Sequence, residues 1–171
     1  ALAYLALSAQ QRVSLYSTNS SVHQELPPLR GQGNIEKVIQ AVSRLQFDGI
    51  TDMKRCFEEF RPSRQRFGII FIISDFFGHE IGSAADAVSR VAAWPGENHF
   101  LQIVHAEERA PEMEGELELM EVETGERRRF WLTKRDVARY TETFDAFSEN
   151  LARECASHRI DFMQVGSDEA F

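Results

Sequence analysis

The apolar run Phe67-Gly68-Ile69-Ile70-Phe71-Ile72-Ile73 ends abruptly in Ser74-Asp75-Phe76-Phe77-Gly78. A run this short, rich in β-formers and apolar on both faces, predicts a strand buried in the middle of a parallel sheet, because a half-exposed strand would alternate with polar residues. Asp75 then stands at the strand's carboxyl end, the edge at which open α/β sheets bind their ligands.

The rest of the pattern supplies the neighbours of that strand. Residues 1–9 read as a helix, Gln11 to Tyr16 as a strand, and Val22 to Leu26 as a short edge strand stopped by Pro27-Pro28. Asn34 is placed to cap a helix in which Ile35, Val38, Ile39, Val42 and Leu45 form one buried stripe, closed by Gly49. Thr51 is placed to cap a second helix with Met53, Cys56, Phe57 and Phe60 inward. A third, from Gly82, carries Ala84, Ala87, Val88 and Val91 and ends at Trp94-Pro95-Gly96.

Phe100 to Val104 follows as a buried strand, completing a strand-helix-strand crossover. Glu116 to Val122 alternates acidic and apolar residues, turns at Glu123 to Glu126 and returns through Arg128 to Leu132, an inserted hairpin. Thr133 starts the longest helix, with Val137, Tyr140, Phe144, Phe147, Leu151 and Cys155 in one stripe, and Ile160 to Val165 gives the last strand. Strands alternating with helices predict a doubly wound, mostly parallel α/β sheet with a hairpin at one edge.

Length and charge narrow the function classes. A chain of 171 residues suits one domain, here taken as residues 1–171. The net charge of −8 argues against a nucleic-acid or anionic-lipid surface and favours protein partners. No apolar stretch approaches a membrane span. Cys56 and Cys155 lack metal or redox spacing and read as reduced, buried thiols, which points to the cytoplasm. The first residues, Ala1 to Leu7, read as a helix entered partway, so the domain is expected to be truncated at its N-terminus.

Candidate chemistry centres on the strand end. Asp75 is either a cap of the following turn or a ligand for metal or partner. Asp52 lies in the first turn of its helix, where a carboxylate suits the helix dipole, and is a candidate partner contact behind that role. Phe76 and Phe77 are candidate aromatic anchors for a partner, with core packing the expected use of at least one of them. The five histidines, His23, His79, His99, His105 and His158, show no paired ligand spacing, and Arg61, Arg64 and Arg66 read as a solvated loop.

Gly49-Ile50-Thr51-Asp52-Met53, Ile72-Ile73-Ser74-Asp75, Glu108, Val122-Glu123-Thr124-Gly125-Glu126, Tyr140 and Gly166-Ser167-Asp168-Glu169 follow in an order that resembles the von Willebrand factor A-like domain of the bacterial domain-of-unknown-function family fifty-eight. Related domains hold a magnesium ion at a metal-ion-dependent adhesion site. The resemblance implies Thr51 and Asp75 as two of its ligands. The third element, an Asp-x-Ser-x-Ser after a first central strand, occurs nowhere in the 171 residues. Either it lies upstream of Ala1 together with that strand, or this copy has lost it. His105 stands where relatives carry an aspartate.

Members of the resembled family are commonly encoded beside MoxR-type AAA+ ATPases. The resemblance therefore implies a non-enzymatic adaptor that works with such an ATPase in assembly or maturation of other proteins, docking a partner's acidic group at the face formed by Thr51, Asp75, Phe76 and Phe77. The competing expectation is a magnesium-dependent phosphoesterase or phosphoryl-transfer enzyme using Asp75. Against it, Phe-Phe-Gly follows Asp75, and neither a second acid nor a phosphate loop is evident.

Overall fold

A computed structural model describes residues 1–46, 52–60, 62, 68–77, 84–120 and 127–168. They form two compact units, the first made of Ala1–Glu59 and the second beginning at Phe60.

In the first unit, helix α1 (Leu2–Ser8) packs on strand β1 (Arg12–Thr18) through the fully buried Leu7. Strand β2 (Val22–Arg30) pairs antiparallel with β1. It is longer than the prolines led the sequence to suggest. The ladder shifts register between Val13↔Leu29 and Leu15↔Leu26, so Pro27 and Pro28 sit in an irregularity and pairing resumes beyond them. A proline on an edge strand costs no ladder bond when its missing N–H faces away from the partner.

After a single 3-10 turn, Gln32–Asn34, comes α2 (Ile35–Ser43). Its predicted stripe is not buried: Val38 is, but Ile39 is 61% and Val42 47% exposed. Nor does Asn34 cap through its side chain, which instead donates to the Arg30 carbonyl and accepts from Lys37. Helix α3 (Met53–Glu59) buries Met53, Cys56 and Phe57 as its spacing requires. Gly49 and Thr51 lie outside the described residues. The α3 cap falls to Asp52, whose Oδ1 accepts the Arg55 amide at 2.8 Å.

The second unit is built on a parallel sheet of order β3-β4-β7, from β3 (Ile69–Ser74), β4 (Glu97–Val104) and β7 (Asp161–Gly166). Helix α4 (Ala84–Ala92) makes the predicted crossover from β3 to β4. The short α5 (Ala106–Arg109) follows β4, and β5 (Gly115–Met120) and β6 (Arg127–Leu132) form the inserted hairpin as a separate two-stranded sheet. Helix α6 (Lys134–Ser157) then packs on β7 and α4. Thr133 starts it with a capping box: its hydroxyl accepts the Asp136 amide, and Asp136 Oδ2 accepts the Thr133 amide at 3.0 Å.

The alternation of the strands assigns the two faces of this sheet. Asn98 donates to the Val91 carbonyl of α4, and Gln164 reaches Ser148 of α6, so both helices lie over the even-numbered residues. Phe100, Gln102 and Val104 are buried there. The odd-numbered face keeps Ile69, Phe71, Ile73 and Met163 exposed.

This corrects the reading of the apolar run. Among the described residues β3 pairs with β4 alone and is an edge strand, with Ile69 and Ile73 each 58% exposed. The central, most buried strand is β4. The full sequence of β3 is apolar on both faces, yet how much of it is covered depends on neighbours that the strand itself does not encode.

Gly96 fixes the approach of β4 to β3. It has φ +100°, and a Cβ there would lie 2.3 Å from the Gly68 carbonyl oxygen, which accepts the Glu97 amide at 3.0 Å. Among the described residues no helix is long and apolar enough to cross a membrane.

Candidate functional site

The chain leaves β3 through Ser74, Asp75, Phe76 and Phe77, and three hydrogen bonds define its path. Ser74 Oγ accepts the Phe76 amide at 3.0 Å, Asp75 Oδ1 accepts the Phe77 amide at 3.0 Å, and Gln102 Nε2 of β4 donates to the Asp75 carbonyl at 3.1 Å. Both side chains imitate a backbone turn, the use for which serine and aspartate are favoured after a strand.

Phe76 takes φ +63°, in the left-handed region. For a residue with a Cβ that conformation costs about 1–2 kcal/mol, so the surroundings must hold it. They do so from both sides. The Phe76 ring turns into the core, is 1% exposed and stacks on Phe100 with centroids 4.9 Å apart and planes 5° from parallel. Phe77 is sent the other way, resting on Phe144 and Phe147 of α6 at 4.9 Å from each while 43% of it stays exposed. A strained turn held in this manner at a strand end is a motivated place to look for function.

Asp75 is exposed, and while Oδ1 is engaged by the turn, Oδ2 takes no hydrogen bond among the described residues. The turn-capping role and an exposed carboxylate are thus both present in one side chain.

The sequence also nominated Thr51, Asp52 and Phe76. Thr51 lies outside the described residues, as do His79, Arg61, Arg64 and Arg66. Asp52 belongs to the first unit, where its carboxylate caps α3 and its amide donates to the Asn19 carbonyl at 2.9 Å. Phe76 is core, so of the two aromatic candidates Phe77 is the one with surface to offer.

The outlet of β4 lies alongside β3 in the parallel sheet. His105 caps α5, its Nδ1 accepting the Glu107 amide at 3.2 Å while Glu108 accepts the His105 amide. Arg109 then bridges to Asp145 of α6 at 3.1 Å. Helix α6 therefore braces two strand-end loops, one through Phe77 and one through Arg109.

Magnesium prefers near-octahedral coordination by hard oxygens. Among the described residues no group of three or more His, Cys, Asp or Glu side chains is arranged to hold a metal. Asp75 Oδ2 alone does not make a magnesium site.

Sequence reasoning passed over Gln102. It is fully buried in β4, and its signal was available: an amide in the middle of Phe100-Leu101-Gln102-Ile103-Val104 must find partners, because an unpaired buried polar group costs about 1–3 kcal/mol.

Residues 1–149 match the family described as "Protein of unknown function DUF58". No curated protein matches the chain. Among solved structures it is similar to the conserved hypothetical protein BatB from Bacteroides thetaiotaomicron, at 14% identity and a TM-score of 0.47 over 92% of this chain and 72% of that one. It is also similar to an aerotolerance-related membrane protein from Bacteroides fragilis, at 14% identity and a TM-score of 0.44 over 84% of this chain and 80% of that one. With most of its length matched by one family, the chain belongs to the DUF58 family of proteins of unknown function.

Proposed function

We propose that this chain is a protein-interaction module of von Willebrand A type, an adaptor that works with a MoxR-type AAA+ ATPase and docks a partner at the carboxyl end of β3. The observation that carries the reading is the Asp75 turn. It presents an exposed carboxylate beside a half-exposed aromatic ring on a backbone that three hydrogen bonds and the Phe76 stack hold in one shape. A preorganised polar group next to an aromatic anchor is the composition of an interface hot spot.

The charge of the partner follows from electrostatics. An acidic group set about 4 Å from a bare Asp75 carboxylate meets a repulsion of about 4 kcal/mol at an effective dielectric of about 20. Docking of an acidic group therefore requires a cation at this turn, with Asp75 as the ligand that the turn itself offers. The described residues do not complete such a site, so the reading rests on Phe77 and the Asp75 acceptor, with magnesium as a separable addition.

Binding of the purified chain to a MoxR-type ATPase, measured by calorimetry with magnesium and with chelator, tests both parts. Binding in both conditions supports docking without a required ion, and binding in magnesium alone supports the bridged form. No binding in either overturns the adaptor reading.

A further inference from the structure

Two side-chain amides and a hydroxyl run in a row from the Asp75 carbonyl. Gln102 Nε2 donates to the Asp75 carbonyl at 3.1 Å, Gln102 Oε1 accepts from Gln164 Nε2 at 3.2 Å, and the same Gln164 nitrogen lies 3.5 Å from Ser148 Oγ on α6. The direction of this row is fixed by chemistry at its inner end. A backbone carbonyl only accepts, so the end of Gln102 that faces Asp75 must be the nitrogen. Its oxygen is then left facing β7, and Gln164 must answer with a donor.

Burial makes the arrangement consequential. Gln102 is 0% exposed and has no water to fall back on, whereas Gln164 is exposed at the edge strand β7. What stands at position 164 therefore reinforces or opposes the orientation that the Asp75 carbonyl selects for a fully buried amide.

We propose that Gln102 is the positioning residue of the Asp75 turn, and that Gln164 reinforces its polarity by supplying the donor that keeps the Gln102 nitrogen on the Asp75 carbonyl. Through them the edge of the sheet at β7 is coupled to the left-handed Phe76 and to the directions in which Asp75 and Phe77 point. This deepens the docking proposal, because it names what holds the docking turn in shape, but the coupling itself requires no partner to be observed.

The test uses two substitutions of similar length and opposite hydrogen-bonding character. Gln164→Lys keeps a donor toward Gln102 Oε1, and Gln164→Glu replaces it with an acceptor. A carboxylate at 164 attracts the Gln102 nitrogen and turns the amide over, so the Asp75 carbonyl loses its donor. The readout is hydrogen exchange at the Phe76 and Phe77 amides, followed by NMR in the intact chain.

Loss of one hydrogen bond corresponds to roughly tenfold, so Gln164→Glu is expected to speed exchange at those two amides about tenfold, with Gln164→Lys within about twofold of the parent. Equal exchange in the two variants, or parent-like exchange in Gln164→Glu, overturns the proposal. Failure here leaves the docking reading standing, and failure of ATPase binding leaves this result untouched, so the two are told apart.

Discussion

The left-handed Phe76 gives a prediction whose sign is opposite to ordinary expectation. At most positions glycine is less stable than alanine by about 0.5–1 kcal/mol, because it loses more backbone freedom on folding. At φ +63° an alanine retains the left-handed penalty of about 1–2 kcal/mol and a glycine does not. Both substitutions remove the same buried ring and its stack on Phe100, a loss of about 3–5 kcal/mol for a core phenylalanine. Their difference therefore isolates the backbone.

Subtracting the entropy term from the conformational one leaves Phe76→Gly more stable than Phe76→Ala by about 0.8 kcal/mol, the middle of a range of about 0–1.5 kcal/mol. With a urea dependence of about 2 kcal/mol per molar, the glycine variant should unfold at a midpoint about 0.4 M higher. The assay is equilibrium urea unfolding followed by circular dichroism, with equal slopes required of the two variants. An alanine variant at least as stable as the glycine variant would show that Phe76 is not held in the left-handed region, and the directions assigned to Asp75 and Phe77 would fall with it.

Three further substitutions or probes test other parts of the structure. Gly96→Ala adds a Cβ 2.3 Å from the Gly68 carbonyl at φ +100°, so it is expected to lower stability by at least the 1–3 kcal/mol of a strained backbone position, seen as a lower urea midpoint. The Thr133 hydroxyl, and after it the Thr133 amide, hold the Asp136 carboxyl below the usual carboxylate range. Because that value is depressed by folding, its contribution is present above the unfolded carboxylate pKa and is lost as pH falls through the folded one. Thr133→Ala should raise the Asp136 titration in an NMR experiment and flatten the loss of stability as pH falls through and below the ordinary carboxylate range. Burial pushes the Cys155 thiol up to about 12 and also raises Cys56, so neither should react with a disulfide reagent at neutral pH until the chain unfolds. Prompt reaction of either thiol in the folded protein would contradict its placement in the core.

Local chemistry was legible in the sequence where a residue's role depends on its near neighbours. Thr133 and Asp136 three positions on announce a capping box, and the chain forms one. The β3-α4-β4 crossover and the β5-β6 hairpin follow from periodicity and breakers in the same way. Legibility ends where burial is decided by a distant partner. The α2 stripe and the two faces of β3 are amphipathic or apolar as written, yet Ile39, Ile69 and Ile73 are each more than half exposed.

The site shows the same division. A strand end at Asp75 could be read directly, and so could its aptitude for capping a turn. Phe76 and Phe77 looked equivalent because adjacency in sequence says nothing about a left-handed step between them, which sends one ring into the core and the other to the surface. Gln102 was hidden by the opposite error, a polar residue passed over because its neighbours are apolar. Pro27 and Pro28 read locally as a stop, and the register shift of β2 carries the strand past them.

The most direct test of docking at the Asp75 turn is the affinity of a MoxR-type ATPase for this chain, compared by calorimetry across Asp75→Ala, Phe77→Ala and Trp131→Ala. Trp131 is 72% exposed on the inserted hairpin and serves as an aromatic surface control. Docking at the turn predicts that Asp75→Ala and Phe77→Ala each weaken binding at least about tenfold, as removal of a hot-spot side chain does, while Trp131→Ala leaves it within about twofold. Full affinity in both turn variants would contradict the account.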